Sequence, residues 1–306
     1  MTNILITGGA GNVGSALANK LVQNENNQVV VVDNLRTGSI QKLPNSNQTN
    51  FKFIKADVNN FIEIEKIMKE IDFQYIFHYA ALVGVQRTLD NPLDVLNDIE
   101  GFKNILELSK MSSVKKIFFS SSSEVYGEPV EFPQNEITTP LNAKLPYAIV
   151  KNVGEAYLKS YFKMFGLKYT IFRFFNTYGP AQSKDFVIKK FITQALSNED
   201  LTIYGDGSQT RTFCFIDDNI DVTCEIFEKN LMDNEILNIG NTNETSVLEL
   251  ANLIIRLTNS NSKIIHLPAL EEGDMTRRLP DNTIMKKIIN RKLLSLEDGI
   301  LKIINN

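Results

Sequence analysis

Tyr147 and Lys151 are the residues whose types and spacing most directly suggest catalysis. They are four positions apart and follow Pro146, a residue favoured at the first position of a helix. Side chains at i and i+4 lie on one face of a helix. A free tyrosine titrates near pH ~10, so an adjacent ammonium would favour its anion and let it act as a general base. The same spacing is also typical of an exposed helix pair, so other residues must decide.

Residues 121–124, with the sequence Ser-Ser-Ser-Glu, could complete such a reaction centre. They follow residues 116–120, a run of strand-forming side chains, and therefore lie where ligands bind in parallel α/β sheets. A serine hydroxyl from this strand end could hold the same substrate oxygen as Tyr147. A cationic nicotinamide ring beside the tyrosine would stabilise its anion further.

The composition is that of an ordinary globular protein and disfavours several classes of partner. The chain has 306 residues, 43% hydrophobic and 22% charged, enough for one large α/β domain or two closely joined ones. A net charge of −4 without a basic cluster disfavours nucleic acid and anionic membranes. We find no signal peptide and no apolar run long enough to span a membrane.

The cysteines and histidines further limit the chemistry. Cys214 and Cys224 have the spacing of neither a disulfide framework nor a zinc site, and they suit a reducing cytoplasm. With His78 and His266 as the two histidines, a polyhistidine metal site is excluded in practice, and no metal is predicted. His78 itself is expected to be a hydrogen-bonded structural residue.

The first thirty-three residues predict a dinucleotide site. Residues 4–7 read as a strand, residues 8–14 as a glycine turn and residues 15–21 as a helix, so a pyrophosphate would lie at the helix N-terminus. Asp33 ends the second apolar strand, at the distance from the turn where an acid binds the adenosine ribose. We therefore predict NAD rather than NADP, although Arg36 nearby argues the other way. The predicted cofactor-binding residues are Gly8, Gly11, Asn12, Val13, Gly14, Asp33, Asn34, Asp57, Val58, Ala80, Ala81, Tyr147 and Lys151.

Several motifs in one order resemble the extended short-chain dehydrogenase/reductase family of nucleotide-sugar epimerases, dehydratases and decarboxylases. They are the glycine turn, Asp33, the run at residues 78–81, the run at residues 121–127, and Tyr147 with Lys151. The resemblance covers nearly the whole chain and implies a Rossmann-type doubly wound parallel sheet with a smaller C-terminal α/β domain. The predicted NAD-binding domain is 1–175 with 214–242, and the predicted nucleotide-sugar-binding domain is 176–213 with 243–306.

The resemblance also implies a substrate site. In this family Ser122 would orient the sugar C4 oxygen, and Glu124 stands where dehydratases and decarboxylases keep a catalytic glutamate. Residues 201–213 resemble a family β-hairpin that contacts the nucleotide, and residues 271–281 resemble a second Arg/Asp substrate-binding segment. The implied substrate-binding residues are Ser123, Asn176, Tyr204, Arg211, Arg278 and Asp281.

Similar enzymes dimerise through the helix after Pro92 and the helix that carries Tyr147, which implies a homodimer built on a four-helix bundle. Apolar positions on those helices could serve that contact or face the sheet instead. The positions are Ile105, Leu108, Val150 and Leu158.

Three residues depart from the family pattern. Asp98 precedes Gly101 at the position where the family usually has asparagine, which adds a carboxylate near the cofactor. Gly84 and Gln86 replace residues that usually shape the substrate site. These departures bear on the substrate and leave the hydride chemistry intact.

The favoured reaction is oxidation at C4 of a nucleoside-diphosphate sugar by an epimerase or C4 dehydrogenase, in surface-polysaccharide or nucleotide-sugar biosynthesis. A 4,6-dehydratase or a UDP-glucuronate decarboxylase is the alternative. A non-catalytic NAD-sensing module is a remote alternative, because Tyr147, Lys151 and the serine are all present.

Overall fold

A computed structural model describes residues 1–269 and 277–305, and it confirms the predicted α/β class with a parallel Rossmann-type sheet. Alternating apolar runs form the strands, and turns rich in glycine, asparagine and serine separate them. The strands are β1 Thr2–Thr7, β2 Asn27–Asp33, β3 Phe51–Lys55, β4 Tyr75–His78, β5 Lys116–Ser122, β6 Lys168–Phe174, β7 Thr177–Tyr178, β8 Leu201–Tyr204, β9 Thr210–Thr212, β10 Cys214–Phe215, β11 Glu235–Ile239, β12 Glu244–Ser246 and β13 Ile264–Leu267.

Amphipathic helices follow most of the strands. Proline opens two of them, at the position where its missing N–H is no loss. The helices are α1 Asn12–Leu21, α2 Phe61–Glu70, α3 Val85–Asp90, α4 Pro92–Ser109, α5 Pro146–Phe165, α6 Val187–Leu196, α7 Ile216–Glu228, α8 Val247–Thr258, α9 Thr283–Ile289 and α10 Leu296–Ile304.

The main sheet has seven strands in the order β11-β6-β5-β4-β1-β2-β3, and all its pairs are parallel. The strand order reverses between β1 and β4, which places a crevice at their carboxyl ends. Thr7 pairs in register with His78, and His78 with Phe119, so the ends of β1, β4 and β5 meet at this edge. These strand ends position the candidate site.

Two apolar layers cover the sheet, and small residues let helices α4 and α5 approach each other and the sheet closely. A Cβ on Gly154 of α5 would lie 2.7 Å from the ring of Phe102 in α4 and 2.9 Å from the ring of Phe119 in β5. Ile105, Val150 and Leu158, proposed above as dimer-contact positions, are almost fully buried in the monomer. Ile105 and Leu158 belong to the apolar cluster on one face of the sheet, whereas Val150 packs with Leu82 and with Val95 of α4.

Residues 176–213 and 243–269 pair with each other outside the main sheet. Strand β8 pairs in parallel with β13, and β9 pairs antiparallel with β12. The β-hairpin predicted over residues 201–213 is therefore wrong: the turn at residues 205–207 separates β8 from β9, and each strand takes another partner. This pairing supports the predicted division into two domains, which stays a prediction.

Helix α8 begins with a capping box. The Ser246 hydroxyl accepts from the Glu249 amide at 3.1 Å, and the Glu249 carboxylate accepts from the Ser246 amide at 2.8 Å. Among the helices that the structure describes, none is both long and apolar enough to cross a membrane.

Candidate active site

Ser122 ends strand β5 and brings its hydroxyl to Tyr147. Its backbone is extended, with φ −139° and ψ 151°, and its Oγ accepts a hydrogen bond from the Glu124 amide at 3.2 Å. The same hydroxyl is hydrogen-bonded to the Tyr147 phenol. Gly127 closes this turn at φ +63°, where a Cβ would lie 1.9 Å from the Asn142 carbonyl oxygen. The turn therefore requires glycine, and it holds the polar strand end in place.

The Tyr147 phenol is neutral in the free protein at neutral pH. Burial raises its pKa, and the Glu124 carboxylate raises it further. The hydrogen bond with Ser122 and the positive charge of Arg278 act in the opposite direction but do not cancel these effects. Additional positive charge beside the ring is therefore needed before Tyr147 can act as a base near neutrality.

Lys151 supplies positive charge one helical turn away. Its side chain is 3% exposed, and burial lowers its pKa to about 8, while the Asp98 carboxylate acts to raise it. The Nζ atom donates to Ser120 Oγ at 3.5 Å and lies 5.7 Å from the centre of the Tyr147 ring. The predicted pair thus points into the protein and is not an exposed surface pair.

Arg278 places a second cation at the same strand end. Its Nη1 lies 3.6 Å from Glu124 Oε1 and 3.4 Å from the Ser123 hydroxyl. Two backbone hydrogen bonds to Gln134 hold residues 279–281, which follow Arg278. The Gln134 amide donates to the Leu279 carbonyl at 2.7 Å, and the Asp281 amide donates to the Gln134 carbonyl at 2.8 Å. The geometry can bind an anionic or strongly polar group beside the phenol.

The glycine turn leaves no room for side chains at the other end of the site. A Cβ on Gly14 would lie 2.6 Å from the Gly8 carbonyl oxygen. A Cβ on Gly8, whose φ is +66°, would lie 2.5 Å from the Ala80 amide nitrogen. Asn12, the first residue of α1, keeps a buried Oδ1 without a hydrogen-bond partner. The backbone amides of this close turn at a helix N-terminus fit a pyrophosphate, whereas the Asn12 oxygen is an acceptor and does not add to the fit.

Asp33 and its neighbours fit an adenosine rather than a 2′-phosphate. Asp33 Oδ2 accepts from the Ala10 amide at 2.9 Å and Oδ1 from the Leu35 amide at 2.7 Å, which fixes the carboxylate at the end of β2. Arg36 donates to Asp94 at 2.6 Å, so its charge is already paired. The donors and acceptors of this end therefore fit NAD.

One cavity of about 680 Å³ joins the two ends. Its wall includes all four predicted catalytic residues, every predicted cofactor residue and three of the predicted substrate residues. These residues are Ser122, Glu124, Tyr147, Lys151, Gly8, Gly11, Asn12, Val13, Gly14, Asp33, Asn34, Asp57, Val58, Ala80, Ala81, Ser123, Asn176 and Arg278.

Three predicted substrate residues do not line this cavity. Tyr204 is exposed on β8, Arg211 on β9 donates to the Thr210 carbonyl at 2.8 Å, and Asp281 accepts from Asn135 at 3.0 Å. Their roles stay predictions. Most of the predicted second Arg/Asp segment, residues 271–276, lies outside the described residues.

His78 is structural, as its sequence context suggests. The ring is buried, its Nδ1 is 2.9 Å from the Thr7 hydroxyl, and burial together with the charge of Lys151 lowers its pKa to about 3. Within the described residues no three His, Cys, Asp or Glu side chains converge as metal ligands.

Three polar residues of the cavity wall, Asn59, Ser120 and Ser121, had no individual role predicted from the sequence. Ser120 contacts Lys151, and Asn59 donates to the Asp98 carboxylate. Ser121 bonds Glu155 Oε1 at 2.6 Å. Strand alternation could have placed Ser120 and Ser122 on one face and Ser121 on the other. Nothing near Asn59 in the sequence signals its role.

Comparison with known proteins assigns the chain to a family. The model of the NAD-dependent epimerase/dehydratase family matches residues 4–240. The chain belongs to this family. It is 35% identical to a UDP-N-acetyl-alpha-D-glucosaminuronate decarboxylase of Bacillus cytotoxicus, over 93% of this chain and 90% of that protein. A decarboxylase of this family is thus similar to the chain along most of its length.

Solved structures agree with this assignment. The UDP-glucose 4-epimerase of Thermotoga maritima superposes with a TM-score of 0.92 at 32% identity, covering 99% of this chain and 98% of that one. The UDP-glucuronic acid 4-epimerase of Bacillus cereus, solved with UDP-glucuronic acid and NAD, gives 0.89 at 30% identity, covering 99% and 98%. The protein therefore belongs to a family of NAD-dependent enzymes. It also has all the residues predicted for proton transfer, which are Ser122, Tyr147 and Lys151.

Proposed function

We propose that this protein is an NAD-dependent enzyme that oxidises C4 of a nucleoside-diphosphate sugar. The observation that carries the proposal is the convergence of Ser122, Tyr147 and Lys151 on the wall of a cavity that also contains the glycine turn and Asp33. A cofactor end and a proton-transfer end in one cavity allow both molecules to be held together, which the reaction requires.

The cofactor end would hold NAD through its backbone and two carboxylates. The amides at residues 11–14 would bind the pyrophosphate, Asp33 the adenosine ribose, and Asp57 with Val58 the adenine edge. When bound, NAD would supply the hydride acceptor: C4 would give up a hydride while its hydroxyl gives up a proton, and the oxygen would stay on C4 as a ketone. Ala80 and Ala81, small residues after β4, leave space for a flat ring beside Lys151.

The chain's own residues would divide the proton chemistry among them. The Ser122 hydroxyl, already bonded to the Tyr147 phenol, would hold the C4 oxygen of the sugar. Tyr147 would take the hydroxyl proton, and the Lys151 ammonium would stabilise the phenolate. Ser123, Asn176 and Arg278 would bind the sugar diphosphate, with Tyr204, Arg211 and Asp281 as further candidates.

The favoured fate of the 4-keto sugar is return of the hydride to the opposite face, which makes a C4 epimer, or release of the oxidised product. The similarity to epimerases along 98% of two solved chains supports this choice. Neither route requires a base at C5, so Glu124 would only hydrogen-bond the sugar or Arg278.

Decarboxylation of a uronic acid is the second candidate. It is favoured by Arg278, which is buried beside Glu124, Ser123 and the phenol and could bind a carboxylate. The 4-keto group would accept the electron pair of the C5–C6 bond as carbon dioxide leaves, and a proton would then add at C5. The similarity to a uronate decarboxylase supports this candidate, whereas dehydration at C5 and C6 is a less supported form of the alternative.

A product assay distinguishes these fates. The purified protein with NAD would be incubated separately with UDP-glucose, UDP-N-acetylglucosamine and UDP-glucuronic acid. The masses of the products would then be measured by mass spectrometry. Unchanged mass with a changed sugar indicates epimerisation, and loss of two hydrogens indicates oxidation. Loss of water indicates dehydration, and loss of carbon dioxide indicates decarboxylation. If no sugar reacts and none reduces NAD, the proposed function is wrong.

We also propose a cytoplasmic homodimer. Cys214 and Cys224 are buried and not disulfide-bonded, as in a reducing compartment. Helices α4 and α5 carry exposed apolar side chains that a partner copy would cover in a four-helix bundle. These are Leu93, Leu96, Ile149, Phe162 and Phe165. Light scattering at micromolar concentration tests the dimer, and a monomer would contradict it.

A further inference from the structure

Asp98 adds a fixed carboxylate to the wall of the cavity. It is half-buried in the second turn of α4, and its Oδ2 accepts a hydrogen bond from the Leu82 amide at 2.7 Å. The Asn59 side chain also donates to it. Asn59 lies close against α4 at Gly101, where an added Cβ would be only 2.6 Å from Asn59 Oδ1. The carboxylate therefore has little freedom to turn away from the cavity.

Packing of the two helices directs Asp98 toward Lys151. Val95 and Ile99, which flank Asp98 in α4, pack in one cluster with Tyr147 and Val150, which precede Lys151 in α5, and both charged side chains line the cavity. The Lys151 ammonium lies 3.5 Å from the Ser120 hydroxyl and 4.9 Å from the centre of the Phe119 ring, and neither group is negatively charged. The electrostatic partner that acts on Lys151 is Asp98.

We propose that Asp98 is a positioning residue of the proton-transfer site, acting as the counter-charge of the Lys151 ammonium and as the anchor of the strand end at Leu82. An asparagine, which the family usually has here, would keep the anchor and lose the counter-charge. The proposal rests on the proposed function where it concerns catalysis. The charge relation between the two side chains concerns the free protein and can be measured without any substrate.

The direction in which the pKa values of Lys151 and Tyr147 change on removal of the Asp98 carboxylate follows from the groups around them. Burial lowers the pKa of Lys151 to about 8, and Asp98 opposes that shift, so removing the carboxylate lowers this pKa further. Asp98 also contributes to the raised pKa of Tyr147, which therefore falls when the carboxylate is removed. His78, also near Lys151, is neutral at these pH values.

The groups around Asp98 do not change the direction in which its removal shifts the Lys151 pKa. Burial raises its pKa, and the charge of Asp57 adds to that effect. The Leu82 amide, Lys151 and the Asn59 side chain lower it. With Lys151 charged, the carboxylate stays the anionic partner in the range where the ammonium titrates. Asp98→Asn is thus a change of charge at nearly constant shape.

A titration of the free protein tests the counter-charge. The protein would carry [ε-¹³C]lysine, and Lys151→Met would identify the Lys151 signal. We expect its midpoint to fall in Asp98→Asn, by up to about one pH unit, because an opposite charge that favours the ammonium is lost. Asp98→Glu should restore most of the shift, and Glu107→Gln, on the same helix but outside the cavity, should leave it unchanged. An unchanged midpoint in Asp98→Asn, or in Asp98→Ser if the asparagine variant unfolds, overturns the proposal.

The rate profile then connects the charge to catalysis. In Asp98→Asn both limbs of the bell-shaped pH profile of kcat should move to lower pH, the acid limb with Tyr147 and the alkaline limb with Lys151. A residue that only anchors Leu82 would lower the rate without moving either limb, and that result contradicts the counter-charge. If the titration shifts but no sugar is turned over, the proposed function fails while the role of Asp98 stands.

Discussion

Two ionic clusters lie beside strand β5 and the turn after it, and they differ in burial and in whether they line the cavity. On one face, Arg173 of β6 donates to both oxygens of Glu155, at 2.9 and 2.7 Å, and Ser121 donates to the same carboxylate at 2.6 Å. At the strand end, Arg278 and Glu124 are 3.6 Å apart. We call the first the closed cluster, because Arg173 and Glu155 lie outside the cavity wall, and the second the open cluster, because Arg278 and Glu124 line the cavity.

Burial follows the same contrast. The side chains of Arg173 and Glu155 are 2% and 1% exposed, whereas those of Arg278 and Glu124 are 8% and 20% exposed. Burial alone would lower the pKa of Arg173, but the hydrogen bonds and charge of Glu155 raise it above its ordinary value. Removing one partner of a buried pair is costly because it leaves an uncompensated charge, whereas a pair on the wall of a cavity is within reach of a bound substrate. Variants in each cluster should therefore affect different measurements.

Tyr147→Phe should have the largest effect on catalysis and almost none on the fold. Loss of the phenol removes the proposed base, and turnover should fall by roughly 10²–10⁴-fold. Single-turnover formation of NADH after substrate addition is the measurement. Tyr157→Phe, on the same helix but outside the cavity, is the matched control and should keep its rate. Near-normal NADH formation in Tyr147→Phe would remove this tyrosine from the mechanism.

Arg173→Met should have the largest effect on stability. It leaves the Glu155 carboxylate buried without its partner, which costs about 3–5 kcal/mol in the free energy of unfolding. Urea denaturation measures this change, and the double variant Arg173→Met/Glu155→Leu should recover most of it. Arg256→Met, in an exposed pair with Glu297, should cost about 1 kcal/mol or less. Equal losses for the two arginines would contradict the contrast between closed and open clusters.

The sequence predicts the nucleotide-binding half well because its signals are local. The glycine turn, Asp33 at the end of β2, and Tyr147 with Lys151 on α5 each lie within one strand-turn-helix unit. Residues 201–213 show the limit of such signals. The turn at residues 205–207 looks like a hairpin turn, yet the partners of β8 and β9 come from distant parts of the chain.

Contacts between distant segments were the other part that local patterns could not predict. Arg278 was predicted as a substrate residue, but its contact with Ser123 joins positions 155 residues apart. Exposure of a helix face could not be assigned either. Leu158 packs in the apolar cluster of the sheet and Val150 packs against α4, while Ile149 and Phe162 on the same helix are exposed. Which face is covered depends on the neighbouring elements and not on the apolar pattern alone.

Arg278→Met should weaken substrate binding and leave the fold nearly intact. The loss of charge-assisted hydrogen bonds, each worth roughly 1.5–3 kcal/mol, should raise KM by about tenfold or more. Arg278→Lys should recover part of the loss, because a point charge replaces the planar guanidinium. Arg277→Met is the matched control, since Arg277 pairs with Glu244 and lies outside the cavity wall. A similar change of KM in both variants would contradict a direct role for Arg278.

Glu124→Gln should have the smallest effect, and it decides which reaction the open cluster serves. The amide keeps the shape and most hydrogen bonds of the side chain but removes the basic group. If the enzyme oxidises or epimerises at C4, no carbon acid is deprotonated, and turnover should fall by less than about tenfold. Glu128→Gln, exposed and outside the cavity wall, is the control.

The isotope content of the product gives an independent answer. Oxidation at C4 makes the proton at C5 acidic, so an enzyme that eliminates water or carbon dioxide exchanges or adds a solvent proton there. Glu124 lies beside Ser122, which would hold the C4 oxygen, and its carboxylate is therefore the nearest predicted base for C5. In deuterium oxide an epimerase returns the abstracted hydride to C4 and leaves C5 unlabelled. Deuterium at C5 in the wild-type product, together with its loss in Glu124→Gln, would assign Glu124 and Arg278 to elimination or decarboxylation instead.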